Sequence, residues 1–306
     1  MSAGQLRTAN ESSIAFIDEP TLDRLEPGIL PLPYPVVVVC DGPLQTAVGL
    51  LGTHPWLCHV LSSTLLQLPV ATTHLSNLVG TFEDGGKPRL LDRMREKFTG
   101  RRVELTQASR RAGRLEKMGD FFDSLGVGAR TIQFLRDAAE ELLTNAFYDA
   151  PVSAGAVANP ISRTCDVTLP KETPCDMVYG CTDEFALIRV RDPFGALSRE
   201  RMVEVLTRCA RTDMAVEIDE SMGGAGLGLW RIFAIATFVA VSVVEGHHTD
   251  VVVGISKKYP GKQRPYAFDL YFRPSDKKRR WQTMQHRPSE HTFTIVDDSD
   301  QEDANG

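Results

Sequence analysis

The alternation of apolar and polar positions divides the chain into two unlike halves. Between Pro27 and Phe82, Asp41 is the only charged residue. Within that stretch Val36–Val39 is a β-branched run that stops at Cys40-Asp41-Gly42, which predicts a buried strand closed by a turn. Trp56–Leu61 reads as a second strand. Pro27, Pro31, Pro33, Pro35, Pro43, Pro55 and Pro69, together with the histidines and Ser/Thr residues, exclude a membrane-spanning helix here. A small α/β domain, or a surface covered by a partner, is expected instead. A receiver-like fold also opens with a strand ending in an acid, but the further acids and lysine of its phosphorylation pocket are not found.

From 91 to 118 the chain becomes strongly charged, and a helical boundary between the halves is expected. Leu115, Phe121, Phe122 and Leu125 predict an amphipathic helix closed by Gly126. A second helix is predicted over Ala129–Tyr148, with Ile132, Leu135, Ala139, Leu142, Leu143 and Ala146 at helical spacing. Pro151–Pro160 reads as a loop. Strands are expected at Cys165–Leu169 and Phe185–Val190, and a helix over 199–210. A glycine loop, Met222–Gly228, leads into a helix from Leu229 to about Ala236. The apolar runs 238–244 and 251–255 predict neighbouring strands joined by Glu245–Asp250, and Ala267–Phe272 a further one. The predicted organisation is a flexible arm (1–26), an N-terminal α/β or partner/sensor domain (27–110), a second domain (111–275) and a charged tail (276–306).

Composition narrows the function without naming it. The chain has 306 residues, 42% hydrophobic and 24% charged, as soluble globular proteins do. A net charge of -6 argues against broad nucleic-acid binding. The first residues carry no apolar core flanked by basic residues, and the apolar run between Arg231 and Glu245 falls short of the roughly 20 residues a bilayer requires. A cytoplasmic protein without a membrane span is expected. Cys40, Cys58, Cys165, Cys175, Cys181 and Cys209 form no CxxC pair, so reduced thiols are expected rather than a zinc site. His247-His248 beside Asp250 reads as a turn between strands rather than a metal site.

Three segments carry candidate chemistry. In Glu141-Leu142-Leu143-Thr144-Asn145 the acid and the amide stand four apart, on one helical face. Such oxygens suit a Mg²⁺ held partly through water, and the carboxylate suits a general base. Asp192 ends a strand and is followed by Pro193-Phe194-Gly195. An acid so placed can accept a hydrogen bond from an exocyclic amine such as that of adenine. In Gly223–Gly228, four of six residues are glycine, and the helix that follows offers its amides to phosphate. The polar Glu217–Ser221 before this loop is no strand, which fails a dinucleotide fingerprint, and the absence of Gly-Lys-Ser/Thr fails a Walker loop.

In order and spacing these segments resemble the N, G1 and G2 boxes of the GHKL ATPase superfamily (gyrase, heat-shock chaperone, histidine kinases, mismatch repair) over about residues 115–275. The resemblance implies an α/β two-layer sandwich of Bergerat type, a mixed sheet covered by helices, with a smaller N-terminal α/β domain. It also implies ATP and Mg²⁺. Asn145 would coordinate the Mg²⁺, and Glu141 would be the general base and a water-mediated Mg²⁺ ligand. Asp192 would bind the adenine amine with Gly195 at its turn. Gly224, Gly226, Leu227 and Gly228 would hold the phosphates. Residues 207–222 would form a mobile lid, with Arg208 or Arg211 candidates for the terminal phosphate. The sequence departs from the pattern in two places. Phe194 and Ala196 stand where the G1 box usually has glycines, and Phe147-Tyr148 follows Asn145-Ala146 where histidine kinases often have Lys or His.

The helices over 91–148 contain no histidine, and His74 lacks the acid and arginine that normally follow a phosphoacceptor. The two-helix entry to the N box is similar to the anti-sigma serine kinases, which act on a separate protein. Three functions are therefore expected: a partner-switching serine/threonine kinase, a histidine kinase whose acceptor is on another chain, or a non-catalytic nucleotide-gated binding module. The two kinases act on a protein partner, and the binding module would signal to the 27–82 domain or to a partner; a homodimer is compatible with all three.

Overall fold

The structure, a computed structural model, describes residues 14–25, 35–83, 98–211, 226–257, 264–275 and 295–296. Its frame is one mixed nine-stranded sheet. Strands β1 (Ala15–Asp18), β2 (Val36–Cys40) and β3 (His59–Ser62) are parallel, with helices α1 (Glu19–Arg24) and α2 (Leu44–Thr53) between them. Helices α3 (Ser63–Leu66) and α4 (Val70–Glu83) follow, then strand β4 (Thr99–Leu105) and helices α5 (Arg111–Ser124) and α6 (Ala129–Thr144). A π-helical turn (Asn145–Asp149) and a short helix α7 (Ala150–Ser153) extend α6. Next come β5 (Asp166–Val167), β6 (Cys175–Cys181), β7 (Phe185–Asp192), α8 (Arg199–Arg211) and α9 (Leu227–Ile235). Strands β8 (Phe238–Val244), β9 (His248–Ser256), β10 (Ala267–Arg273) and β11 (Ile295–Val296) complete the described chain. The order across the large sheet is β1-β2-β3-β10-β8-β9-β7-β6-β4, and β5 pairs separately with β11.

The central strands are apolar on both faces over much of their length, which explains why they read as continuous rather than alternating runs. Val38, Val60, Phe268, Val241, Val253 and Ile188 point into the larger core beneath α1, α2, α5, α6, α8 and α9. Val37, Leu61, Phe185, Leu187, Phe238 and Val252 point the other way, onto α3 and α4. The expected two layers therefore gain a third where α4 covers the middle of the sheet, against β3, β10 and β8.

Several boundaries differ from the sequence-based expectation. Residues 15–24, expected in a loose arm, form β1 and α1, and the Asp18 side chain caps α1 by accepting from the Thr21 amide at 2.8 Å. Within the charged stretch expected to be helical, residues 99–105 form edge strand β4, paired antiparallel with β6, and the helix starts only beyond it. Strand β3 pairs antiparallel with β10, so the sheet runs unbroken from the N-terminal segment into the C-terminal half. Among the described residues no helix is long and apolar enough to cross a membrane. All six cysteines are free thiols.

Candidate functional site

The Glu141–Asn145 helix, the end of β7 and the start of α9, separated by more than eighty residues of chain, meet around one cavity of about 750 Å³. Glu141 and Asn145 line it from the helical side, Asp192 from the end of β7, and Gly226 from the start of α9. Thr249 and Val251 of β9, Met202, Val205 and Arg208 of α8, and Ile161 and Arg163 of the loop after α7 complete much of the wall.

Helix α6 is placed by its apolar stripe, in which Leu135, Ala139 and Leu143 are buried against the sheet. The next face presents Glu141 and Asn145, and the Asn145 amide donates to Glu141 Oε1 at 3.4 Å. Burial raises the Glu141 pKa, while the Arg163 guanidinium and the Asn145 hydrogen bond oppose that rise. The result is a carboxylate more basic than a free one, the property a general base needs. Beyond Asn145 the helix widens into the π turn, in which the Ala150 amide reaches back to the Asn145 carbonyl. Pro151 is the sequence cause: it has no amide to donate to Phe147, and its ring would crowd that carbonyl in a regular helix.

Asp192 is buried at the end of β7, and its Oδ1 accepts from the amides of Phe194 at 2.8 Å and Gly195 at 3.2 Å. Burial pushes its pKa up to about 6, against the pull of these amides and of Thr249, its cross-strand neighbour. Gly195 does not line the cavity. It shapes the turn behind Asp192 with φ +62°, and a Cβ there would lie 2.2 Å from the Val244 carbonyl oxygen. Phe194, where the resembled pattern has glycine, is fully buried in the core, and Ala196 lines the cavity.

The glycines of the third segment have separate tasks. Gly226 caps α9 in the left-handed region (φ +71°), and a Cβ there would meet Val205. Gly228, in the first turn with Leu227, lies against the acid of the first segment: a Cβ would stand 2.0 Å from Glu141 Cδ. The first-turn amides of α9 follow a cap with no side-chain partner, the arrangement that accepts a phosphate. Gly223, Gly224, Ala225 and lid positions 212–222 lie outside the described residues, as do Lys277–Arg280 and the acidic 297–306. The two arginines expected in a lid both lie in α8, where Arg208 lines the cavity and Arg211 is exposed at the end of the helix.

Among the described residues no group of three or more His, Cys, Asp or Glu could cage a metal ion. Glu141 and Asn145 offer oxygens to a hard cation, so they fit a Mg²⁺ held largely by phosphate oxygens and water. His247 lies in the β8–β9 turn, its Nε2 2.9 Å from Ser275 Oγ, and burial pushes the His248 pKa down to about 4. His74 is buried on the far face of the sheet, where Asp269 bridges it (3.4 Å) and His59 (2.9 Å). Sequence reasoning missed Thr249, which only the β7–β9 register brings beside Asp192, and Arg163, which lies in a loop without a motif. Neither family models nor curated proteins give a match to this chain.

Proposed function

We propose that the chain is an ATP-binding signalling protein with a Bergerat-type nucleotide site, acting as a Mg²⁺-dependent serine/threonine kinase of the anti-sigma, partner-switching kind on another protein. The observation that carries the reading is the convergence of Glu141, Asn145, Asp192 and Gly226 on one cavity. Asp192, fixed by two backbone amides, accepts from the adenine amine beside Thr249. The first turn of α9 receives phosphate oxygens through its amides. Asn145 would hold Mg²⁺, with Glu141 reaching it through water, and the ion neutralises phosphate charge when bound. Glu141 takes the proton of the acceptor hydroxyl, a contribution of about 10²–10⁴ in rate. An acceptor on a separate chain is favoured because the His74 side chain is enclosed between the rest of α4 and the sheet.

Incubation of the full chain with Mg²⁺ and γ-labelled ATP in a cell lysate tests this. Acid-stable label on a second protein is the expected result. Acid-labile label would move the assignment to a histidine kinase acting in trans. Tight ATP binding without transfer would leave a nucleotide-gated binding module.

A further inference from the structure

We infer that Arg163 binds the terminal phosphate of the nucleotide, exchanging Asp149 for it when the site fills. This inference rests on the nucleotide reading of the cleft.

Arg163 stands on a braced turn. The Cys165 amide donates to the Ser162 carbonyl at 3.1 Å, which leaves Arg163 at the tip. The Tyr148 hydroxyl donates to the Cys165 carbonyl at 2.8 Å and ties the turn to the π segment. On the other side, the Ser109 amide and hydroxyl donate to the Asp166 carboxylate at 2.8 and 2.7 Å. The arginine therefore projects into the cavity from a fixed base.

Its charge falls where Glu141 and Asp149 face the cleft, and it opposes the rise that burial imposes on both carboxyls. Asp149 is there because of the π turn. Eight residues along a regular α-helix it would be rotated roughly 80° from Glu141. The wider turn rotates less per residue and returns it to the face of Glu141 and Asn145. The Arg163–Asp149 pair is open to exchange: the closest atoms are 3.6 Å apart, and both side chains are nearly half exposed. A partly solvated pair of that kind is weak, whereas a guanidinium on a phosphate forms strong, charge-assisted hydrogen bonds. Asp149 thus holds Arg163 at the wall of the cavity that Glu141 also lines, and a phosphate arriving at Gly228 and Glu141 takes its place.

The test is calorimetric titration of the full chain with MgATP and MgADP, using wild type, Arg163→Ala, Arg163→Lys and Asp149→Asn. Arg163→Ala is expected to weaken MgATP about 10–100-fold and leave MgADP nearly unchanged. Arg163→Lys is expected to recover part of the difference, since it keeps the charge but not the fork. Asp149→Asn is expected to tighten MgATP severalfold, a gain that disappears in the Arg163→Ala background. Equal losses for both nucleotides, or no loss for either, overturn the inference. If Arg163→Ala does not fold, the ATP-to-ADP ratio of Arg163→Lys decides alone. A wild-type chain that binds neither nucleotide refutes the nucleotide reading itself, a different result from unselective loss in the variants.

Discussion

Replacing Asp192 by Asn separates the needs of the fold from those of the site. The side chain is enclosed, and its pKa is raised from 3.8 to about 6. Keeping the carboxylate ionised at neutral pH therefore costs the folded protein about 3 kcal/mol. The sign follows from linkage. A folded-state pKa above the unfolded value means that the folded chain holds the extra proton between pH 3.8 and about 6. Stability from this group is thus complete below the unfolded value and is lost as pH rises through about 6. Asparagine keeps the shape and, through Oδ1, the acceptor for the Phe194 and Gly195 amides. It should raise the unfolding free energy at pH 7.5 by about 2–3 kcal/mol, and the gain should vanish near pH 3.5. The same two amides fix the flip, so the Asn NH₂ would face the amine of adenine, donor against donor. Nucleotide affinity should fall about 100-fold or more. Urea titrations at both pH values and calorimetry with ATP read the two effects. A variant that is destabilised at pH 7.5, shows a pH-independent difference, or still binds ATP would refute the reasoning.

Glu141→Gln should bind ATP as wild type does while phosphotransfer falls about 10²–10⁴-fold. In wild type, transfer should decline as pH is lowered through the raised Glu141 titration, because the base works deprotonated; a flat rate–pH profile would contradict this. Gly228→Ala puts a methyl 2.0 Å from Glu141 Cδ, so the carboxyl must swing away, and transfer should slow while the melting temperature changes little, read by rate and by thermal melting. Arg199 Nη2 donates to the carbonyls of Leu51, His54 and Leu57 at 2.9, 3.1 and 2.8 Å, so Arg199→Ala should destabilise the chain by about 2–3 kcal/mol in urea titration, by freeing α8 from α2.

The parts of the fold legible in the sequence were those with one dominant local pattern. Val36–Val39, 238–244 and 251–255 are β-branched runs buried on both faces, and each is a strand. Helix α6 shows its stripe because one side meets the sheet and the other meets water and the cleft. Strand β4 was masked by its position: at an edge, Arg102 and Glu104 are exposed, and Arg102 pairs with Asp176 across the ladder at 2.8 Å. Helix α4, VATTHLSNLVGTFE, carries no charged residue before its last, Glu83, because it covers the second apolar face, so it shows no clear helical contrast. The join between β3 and β10 couples His59 to Asp269 over a sequence separation of 210, beyond the reach of any local signal. The site divided in the same way. Glu141 and Asn145 share a helical face in the sequence but acquire a reading only together with the Asp192 and glycine-loop segments, whereas Arg163 and Thr249 become neighbours of the cavity only through a loop tether and strand register.

The most direct test of the central claim is calorimetric titration of the full chain with ATP, with and without Mg²⁺. The account predicts saturable binding to one site per chain that Mg²⁺ strengthens and that Asn145→Ala abolishes. Absence of binding at millimolar ATP, or binding indifferent to both Mg²⁺ and Asn145, would contradict it.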